Sequence, residues 1–505
     1  MSTTSDKGIS YYDEAEAASA SSAGSAEKAK PLIDVAALSL RSRLSSEPTG
    51  TLLVMVGLPA RGKSFISAKL FSFVKWGGRS IKVFNVGSYR RQEGEKETER
   101  SANSGASFFD DKNAVATQKR EELASAVLGI ALEWLVESDG RVAIFDATNS
   151  TRERRYAIAE KVEDFYFRKN LESSEKKKSP ARIIFVESIC DDQRVLEHNM
   201  RIKARASPDF KAMPFEDALR DLKNRLAHYE SRYQPVMDHE GAYIKSYNFS
   251  SKVTSHLCFG RMSKTILPFL IALHTDDRPV YLCALPPTAS EPETVLLQRE
   301  PKTPVPLNDD DFGDRLADFW WNAKKRTLSQ LQTESKVLIL SSTMPRAVAA
   351  AKKVQARNPD LATVVHSSAL NPLLLSSTHP CFNCDASNGD DDDDNNIASS
   401  DSDDPSSKKR KNFFDRGEDG ESYADLVARL ESTVLDLEAS VDPVLIVTHA
   451  TPARALRAYF KNIDVFRLAT HPSGPEALAL ADAAPAVLEC NQTMSGNYTE
   501  HIHWI

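Results

Sequence analysis

The stretch "GLPARGKS", residues 57–64, has the residue types and spacing of a phosphate cradle. Its pattern is G-x-x-x-x-G-K-[S/T], carried by Gly57, Gly62, Lys63 and Ser64. Glycines let the chain curve tightly enough for successive backbone N–H groups to surround an anion, and the following helix points its positive end at the same place. Leu58, Pro59, Ala60 and Arg61 fill the loop, and Phe65 follows it. Lys63 would reach the β and γ phosphates of a nucleoside triphosphate, and the Ser64 hydroxyl would bind Mg²⁺. A second stretch, "RVAIFDATN", closes an apolar run on Asp146. That is the shape of a carboxylate that organises Mg²⁺ at the edge of the same sheet. A helix N-cap is the alternative use of such an aspartate, and the phosphate loop in the same sheet favours the metal role. Together these residues imply a triphosphate site and leave the acceptor open.

The elements that must hold this chemistry are legible as alternating patterns. "TLLVMV", "SIKVFNV", "RVAIFDA" and "ARIIFVESI" are short, rich in Val, Ile and Phe, and read as strands buried on both faces. Amphipathic stretches such as "ISAKLFSFVKW" and "KREELASAVLGIALEWLVE" lie between them. Strands alternating with helices predict a doubly wound parallel sheet over about 48–275. A second set, "RPVYLCAL", "KVLILSS", "PVLIVTH" and "AVLECNQ", predicts a second α/β domain. The expected organisation is a disordered arm at 1–46, a P-loop α/β domain at 47–276 and another α/β domain at 277–505. The Ser/Ala/Glu/Lys-rich arm has too little to bury to offset its chain entropy. An aspartate-rich run ending in "KKRK" reads as a disordered acidic insert at 385–412. A solvated charge run is the simpler reading of "KKRK" than a nuclear signal.

Composition narrows the class. The 505 residues are 41% hydrophobic and 27% charged, ordinary for a soluble globular chain, and the net charge of −7 argues against nucleic acid as a partner. No apolar run approaches the roughly 18 residues that span a bilayer, and the first residues lack a signal-peptide pattern, so no membrane partner is expected. Six cysteines form no disulfide framework and suit a reducing cytoplasm. Cys381 and Cys384 make a C-x-x-C without a second pair, which reads as two incidental thiols rather than a zinc or redox site.

Beyond the loop, "VMVGLPARGKSFIS", "KVFNVGSYRR", "FDATNSTRERR", "ESICDD", "SPDF" and "RLAHYESRYQPV" follow one another in an order and spacing that resembles the kinase half of the 6-phosphofructo-2-kinase/fructose-2,6-bisphosphatase family, over roughly 50–260. The resemblance implies ATP and Mg²⁺ at the loop, fructose 6-phosphate as acceptor, and transfer to its 2-hydroxyl. It implies that Arg90, Arg120, Thr148, Arg154, Arg225 and Tyr229 hold fructose 6-phosphate. Several forked guanidinium groups suit a dianionic sugar phosphate. It also places Asp146 and Cys190 at the family's active-site Asp and Cys, with Lys63 as the third catalytic group. For Cys190 a buried structural thiol is the competing reading. The family has a lysine fourteen residues after that cysteine, within a "VKISSPDY" stretch, and an ungapped count puts Ala204 there. Lys203 and Arg205 flank it. One residue turns a helical side chain by about 100°, so the count leaves open whether Lys203 reaches the nucleotide. A pseudoenzyme that binds nucleotide and sugar phosphate without transfer is the rival this raises.

The family's other half has the histidine-phosphatase fold, with a nucleophilic histidine in "RHGE" after a strand reading "YLC". Here "PVYLC" is followed by "ALPP", which puts Ala284 and Leu285 where the arginine and nucleophile belong. Neither can attack phosphorus or neutralise its oxygens. Arg346 and His449 fit remaining family positions, and no glutamate replaces the usual acid. The expectation is a degenerate phosphatase half, kept for packing, dimerisation (a homodimer) or regulation.

Overall fold

The apolar run Gly50–Val56 (β1) is buried along its whole length and lies in the interior of a six-stranded sheet, with β3 (Arg141–Asp146) on one side and β4 (Arg182–Ile189) on the other, both parallel to it. A strand flanked by two neighbours and covered on both faces is expected to be a nearly continuous apolar run, and "LLVMV" after Thr51 is. In the computed structural model the described residues are 50–96, 113–138, 140–172, 178–211, 213–249, 252–275, 278–285, 309–331, 336–357, 359–374, 411–416, 420–469, 486–493 and 495–505.

The first sheet runs β2-β3-β1-β4-β5-β6, with β2 at Ile81–Asn85, β5 at Tyr243–Tyr247 and β6 at Lys252–His256. Five strands are parallel, but β6 pairs antiparallel with β5, so the sheet is mixed rather than wholly parallel. β2 is an edge strand and buries only Phe84 fully, unlike the two-sided burial its sequence suggests. The helices are α1 (Lys63–Trp76), α2 (Val86–Lys96), α3 (Ala114–Val136), α4 (Arg152–Glu172), α5 (Gln193–Ala206), α6 (Phe215–Glu230) and α7 (Arg261–Ala272). The loops after β1, β2 and β3 all open at the same sheet edge, where open α/β sheets bind ligands.

The second sheet runs β12-β11-β7-β10-β8-β9. Its strands are β7 (Pro279–Ala284), β8 (Val337–Ser342), β9 (Ala362–Ser367), β10 (Val444–Thr448), β11 (Ala486–Gln492) and β12 (Tyr498–Trp504). The helices α8 (Asp309–Leu331), α9 (Pro345–Ala356), α10 (Tyr423–Ala439) and α11 (Ala450–Phe460) flank it. β11 and β12 are antiparallel, and the other four strands are parallel.

The described residues of both halves form one compact unit, and the reason is a shared core. Leu53, Met55, Ile66 and Phe73 from the first sheet and α1 belong to the same buried cluster as Leu282, Leu430 and Leu456 of the second half. Phe73 stacks on Phe269 of α7 at 4.1 Å between ring centroids. Separate clusters fill the outer face of each sheet, under α3 and α4 in the first and under α8 and α9 in the second. The arm at 1–46, the C-x-x-C at 381 and 384, and nearly all of the acidic insert lie outside the described residues. The insert's expected end at 412 falls inside a helical turn, 411–414, where Phe413 is 1% exposed and packs against Phe466.

Candidate active site

The loop between β1 and α1 takes its shape from two glycines. Gly57 has φ +137, and a Cβ there would stand 2.6 Å from the Ser188 carbonyl oxygen. Gly62 has φ +84, and a Cβ there would collide with the Phe249 ring at 2.2 Å. Only glycine fits either position. The loop is tied down by Gly57 N–H donating to the Thr148 carbonyl at 2.9 Å and by the Ser188 hydroxyl donating to the Arg61 carbonyl. Lys63 turns back and donates to the Leu58 carbonyl at 2.7 Å. Burial, with Lys203 and Arg61 nearby, pushes its ammonium down to about 7, against the opposing pull of Asp146.

Asp146 ends β3 beside this loop. Its Oδ2 accepts from the Ser64 hydroxyl at 3.0 Å and from the Asn85 side-chain amide at 2.6 Å. One hydroxyl and one carboxylate side by side is the sparse donor set that Mg²⁺ takes when phosphate and water supply its remaining oxygens. No cluster of three or more acidic, His or Cys side chains able to cage a metal occurs among the described residues. Ser64 and Asp146 are the residues that would hold Mg²⁺.

These groups line a cleft of about 1310 Å³, large enough for two substrates, and the sugar-phosphate candidates face it as well. Arg90 from α2, Arg120 from α3, Thr148 and Arg154 from the β3–α4 segment, and Arg225 and Tyr229 from α6 all line it. Four separate segments of the first half thus converge on one volume. Arg154 is steadied by Asn149, whose Oδ1 accepts from its Nε at 3.0 Å, and by an ion pair with Glu121. Asn149 is fully buried with φ 45, and its amide donates to the Met55 carbonyl at 2.8 Å, which locks the "FDATN" turn onto β1.

Lys203 and Ala204 answer the question the residue count left open. Ala204 faces inward and is 4% exposed among Met200, Phe210 and Leu222, while Lys203 lines the cleft. Lys203 is open to solvent there yet walled in by protein. That desolvation holds its ammonium below the usual lysine range, with Asp146 and Asp209 pulling the other way. The rotation of one residue along α5 thus turns Lys203, not its neighbour, into the cleft.

Two further residues matter that sequence reading did not single out. Asp209, inside the quoted "SPDF", accepts from Arg90 at 2.6 Å and from Arg225 at 3.2 Å through one oxygen, and pairs with Arg91 at 3.6 Å through the other. Burial works against its charge, but Arg90, Arg225 and Arg91 outweigh that and hold its carboxyl below the usual range. It braces guanidiniums that would otherwise repel each other. Asn85, which steadies Asp146, sits at the end of β2 on the same sheet edge. That position was the available signal.

Cys190 is the member of the catalytic set that the structure leaves out of the cleft. It is 5% exposed just after β4, does not line the cleft, and burial raises its thiol pKa. The thiol reads as structural packing behind the loop. Gly57, Leu58 and Arg61 shape the loop without lining the cleft, and Arg61 is turned away to Glu230 at 3.2 Å. Pro59, Ala60, Gly62 and Phe65 do line it.

In the second half, Ala284, Leu285 and His449 meet at the ends of β7 and β10, which pair Ala284 with Thr448. Leu285 N–H donates to the Thr448 carbonyl at 2.8 Å, and its side chain, 3% exposed, belongs to the core beneath α8 and α9. His449 is 1% exposed, with Nε2 3.2 Å from the Ser342 hydroxyl, and Arg346 stands in the first turn of α9. The topology thus brings Ala284, Leu285 and His449 together, and at the position the sequence resemblance gives to the nucleophile stands a packed leucine.

A family model described as 6-phosphofructo-2-kinase matches residues 41–277, and one for the histidine phosphatase superfamily (branch 1) matches 386–484. The chain is 30% identical over 459 residues to a Caenorhabditis elegans 6-phosphofructo-2-kinase/fructose-2,6-bisphosphatase, covering 89% of this chain and 90% of that one. It is likewise 30% identical to an Arabidopsis thaliana protein of the same name over 413 residues (81% of this chain) and to Saccharomyces cerevisiae 6-phosphofructo-2-kinase 1 over 438 residues (84%), and spans 49% of each of those longer proteins. A solved structure titled "Mycobacterial hydrolase 1" aligns at 18% identity and a TM-score of 0.29, over 45% of this chain and 98% of its own. With the likeness to the nematode protein running through nearly the whole of both chains, this chain belongs to the 6-phosphofructo-2-kinase/fructose-2,6-bisphosphatase family.

Proposed function

We propose that the protein transfers the γ-phosphoryl group of ATP to the 2-hydroxyl of fructose 6-phosphate, and that its second half carries no phosphatase chemistry. The observation that carries this reading is the single cleft in which the phosphate loop, the Ser64–Asp146 pair, Lys203 and the arginine set face one another. The bond from the γ-phosphorus to the β–γ bridging oxygen breaks as the bond to the sugar oxygen forms. The products are ADP, fructose 2,6-bisphosphate and the hydroxyl proton. Such a transfer needs positioning and charge neutralisation more than a strong base. Lys63 and Lys203 supply positive charge on the nucleotide side. Arg90, Arg120, Arg154 and Arg225, with Thr148 and Tyr229, orient the sugar phosphate. Ser64 and Asp146 would hold Mg²⁺, which would supply neutralisation of the phosphate charge.

Lys203 in the cleft supports the active reading over a pseudoenzyme, whose motive was the missing lysine at 204. Leu285 and Ala284 support the loss of the opposing hydrolysis of the 2-phosphate. A cytoplasmic location and a homodimer belong to the same reading. Among the described residues no helix is long and apolar enough to cross a membrane, and the described cysteines are free. Cell fractionation and sedimentation velocity test those two points. The central test is incubation of purified protein with MgATP and fructose 6-phosphate. An acid-labile sugar bisphosphate is expected, and its absence overturns the proposal.

A further inference from the structure

The helix that leaves the phosphate loop is held by the second half of the chain. One face of α1 packs on the first sheet through Ile66, Leu70 and Phe73. Another face carries Lys69, whose side chain is 1% exposed. Its Nζ donates to both carboxylate oxygens of Glu438 at 3.0 Å and to the Tyr498 hydroxyl at 3.0 Å. Glu438 Oε1 also accepts from the Tyr459 hydroxyl at 2.6 Å and from that of Tyr498 at 2.7 Å. Glu438 comes from α10, Tyr459 from α11 and Tyr498 from β12, so three elements of the second half close on one lysine of the first.

Further contacts run along the same helix. Lys75 Nζ donates to the Asn462 carbonyl at 3.0 Å, and Trp76 Nε1 to the Ala455 carbonyl at 2.8 Å. At the other end the turn between β11 and β12 lies against the first turn of α1. A Cβ at Gly496 would stand 3.0 Å from the Phe65 carbonyl oxygen and 3.3 Å from both Ala68 and Lys69 side-chain carbons.

We propose that Lys69, Glu438, Tyr459 and Tyr498 are positioning residues for the triphosphate site, and that the second half serves as the fixed wall that sets the register of the phosphate-loop helix. Lys69 lies six residues beyond Lys63, about 9 Å along the axis, so it does not touch phosphate itself. A buried ion pair is a poor source of stability, because desolvating both charges costs about what their attraction returns. What a carboxylate with three directed donors does provide is geometry. A helix slipped by one residue would rise about 1.5 Å and turn about 100°. Gly62, Lys63 and Ser64 run directly into α1, and misplacing a reacting group by about 1 Å can cost roughly 100-fold. The arginine set, by contrast, is built wholly from segments of the first half. Nucleotide and sugar phosphate should therefore respond differently when the wall is loosened. What the site does with its nucleotide rests on the kinase reading above, but the test reads binding.

The test is calorimetric titration of Mg²⁺ with a non-transferable imido analogue of ATP, and separately of fructose 6-phosphate, alongside the melting temperature. The double variant Lys69→Met/Glu438→Leu replaces the pair with apolar groups but also takes the acceptor from the Tyr459 and Tyr498 hydroxyls, so its melting temperature is read first. Nucleotide affinity should fall about tenfold or more while sugar-phosphate affinity stays within about twofold. Tyr459→Phe and Tyr498→Phe each remove one donor, leave the ion pair in place, and should weaken nucleotide about threefold with no change for the sugar phosphate. These single variants decide the matter if the double variant does not fold. Wild-type nucleotide affinity in the folded variants, or parallel loss of both ligands with melting temperature, overturns the proposal. A wild-type protein that binds both ligands and transfers nothing would overturn the kinase reading and leave this comparison standing.

Discussion

Lys63 gives the sharpest quantitative prediction. Its ammonium is pushed down to about 7 by burial, Lys203 and Arg61. A bound triphosphate brings several negative charges to the same spot and returns the group to the ordinary lysine range, so nucleotide binding must take up a proton wherever free Lys63 is neutral. At about pH 7.5 roughly a quarter of free Lys63 is charged, so binding takes up about 0.75 proton; at about pH 6 the uptake falls to about 0.1. Between about pH 7 and 8 nucleotide affinity should drop about fivefold, because the charged fraction falls from about one half to about one tenth. The folded, unliganded chain binds fewer protons here than the unfolded chain, so this group's contribution to stability rises with pH from about 7 towards the ordinary lysine range. The assay is calorimetry in two buffers of different ionisation enthalpy, where the dependence of apparent heat on buffer counts protons. Lys63→Arg should bind without this uptake, and uptake left in Lys63→Met comes from the other titratable groups of the cleft, Lys203 among them. No uptake at about pH 7.5, or the same uptake in wild type and Lys63→Met, refutes the reasoning.

The other predictions concern neighbouring parts of the molecule. Asp209→Ala should raise KM for fructose 6-phosphate about tenfold while KM for ATP stays within about twofold, since it frees charge-assisted bonds of about 1.5–3 kcal/mol each on the arginines alone. Steady-state kinetics with both substrates varied would show it, and equal changes in both constants would count against the bracing role. Ala204→Lys should lower the melting temperature without raising activity, because a charge forced into the packing of Met200, Phe210 and Leu222 has no partner. Lys203→Ala should cut kcat/KM for ATP by about tenfold or more, as loss of a charge-assisted contact does; a gain from Ala204→Lys would overturn this assignment. Protein incubated with fructose 2,6-bisphosphate labelled in its 2-phosphate should form no phosphohistidine, as Leu285 has no nucleophilic atom. Labelled protein that survives alkali and is lost in acid would refute it.

The sequence alone determined the loop, because its requirements are local. Gly57 and Gly62 need positive φ, Lys63 and Ser64 need to follow at once, and an apolar strand must precede them. The central strands were equally legible, since β1, β3, β7 and β10 are buried on both faces and mostly apolar. Strands at or next to the sheet edges were harder to see: β5, β6, β9 and β12 carry mixed residues such as "YIKSY" and "YTEHIHW" and are strands because a neighbour pairs with them. Tertiary structure alone decided which helical side chains turn into the cleft. A residue count put Ala204 at a ligand position, but packing of α5 against α6 buries it and presents Lys203 instead. Cys190 matched an active-site position, yet it is buried and does not line the cleft. Asp209 stood in plain view in "SPDF", yet its work depends on Arg90 and Arg225, one far upstream and the other on a separate helix. The bond between Lys69 and Glu438 spans 369 positions. No local pattern can encode such a pairing, because only the shared core of the two halves brings those side chains together.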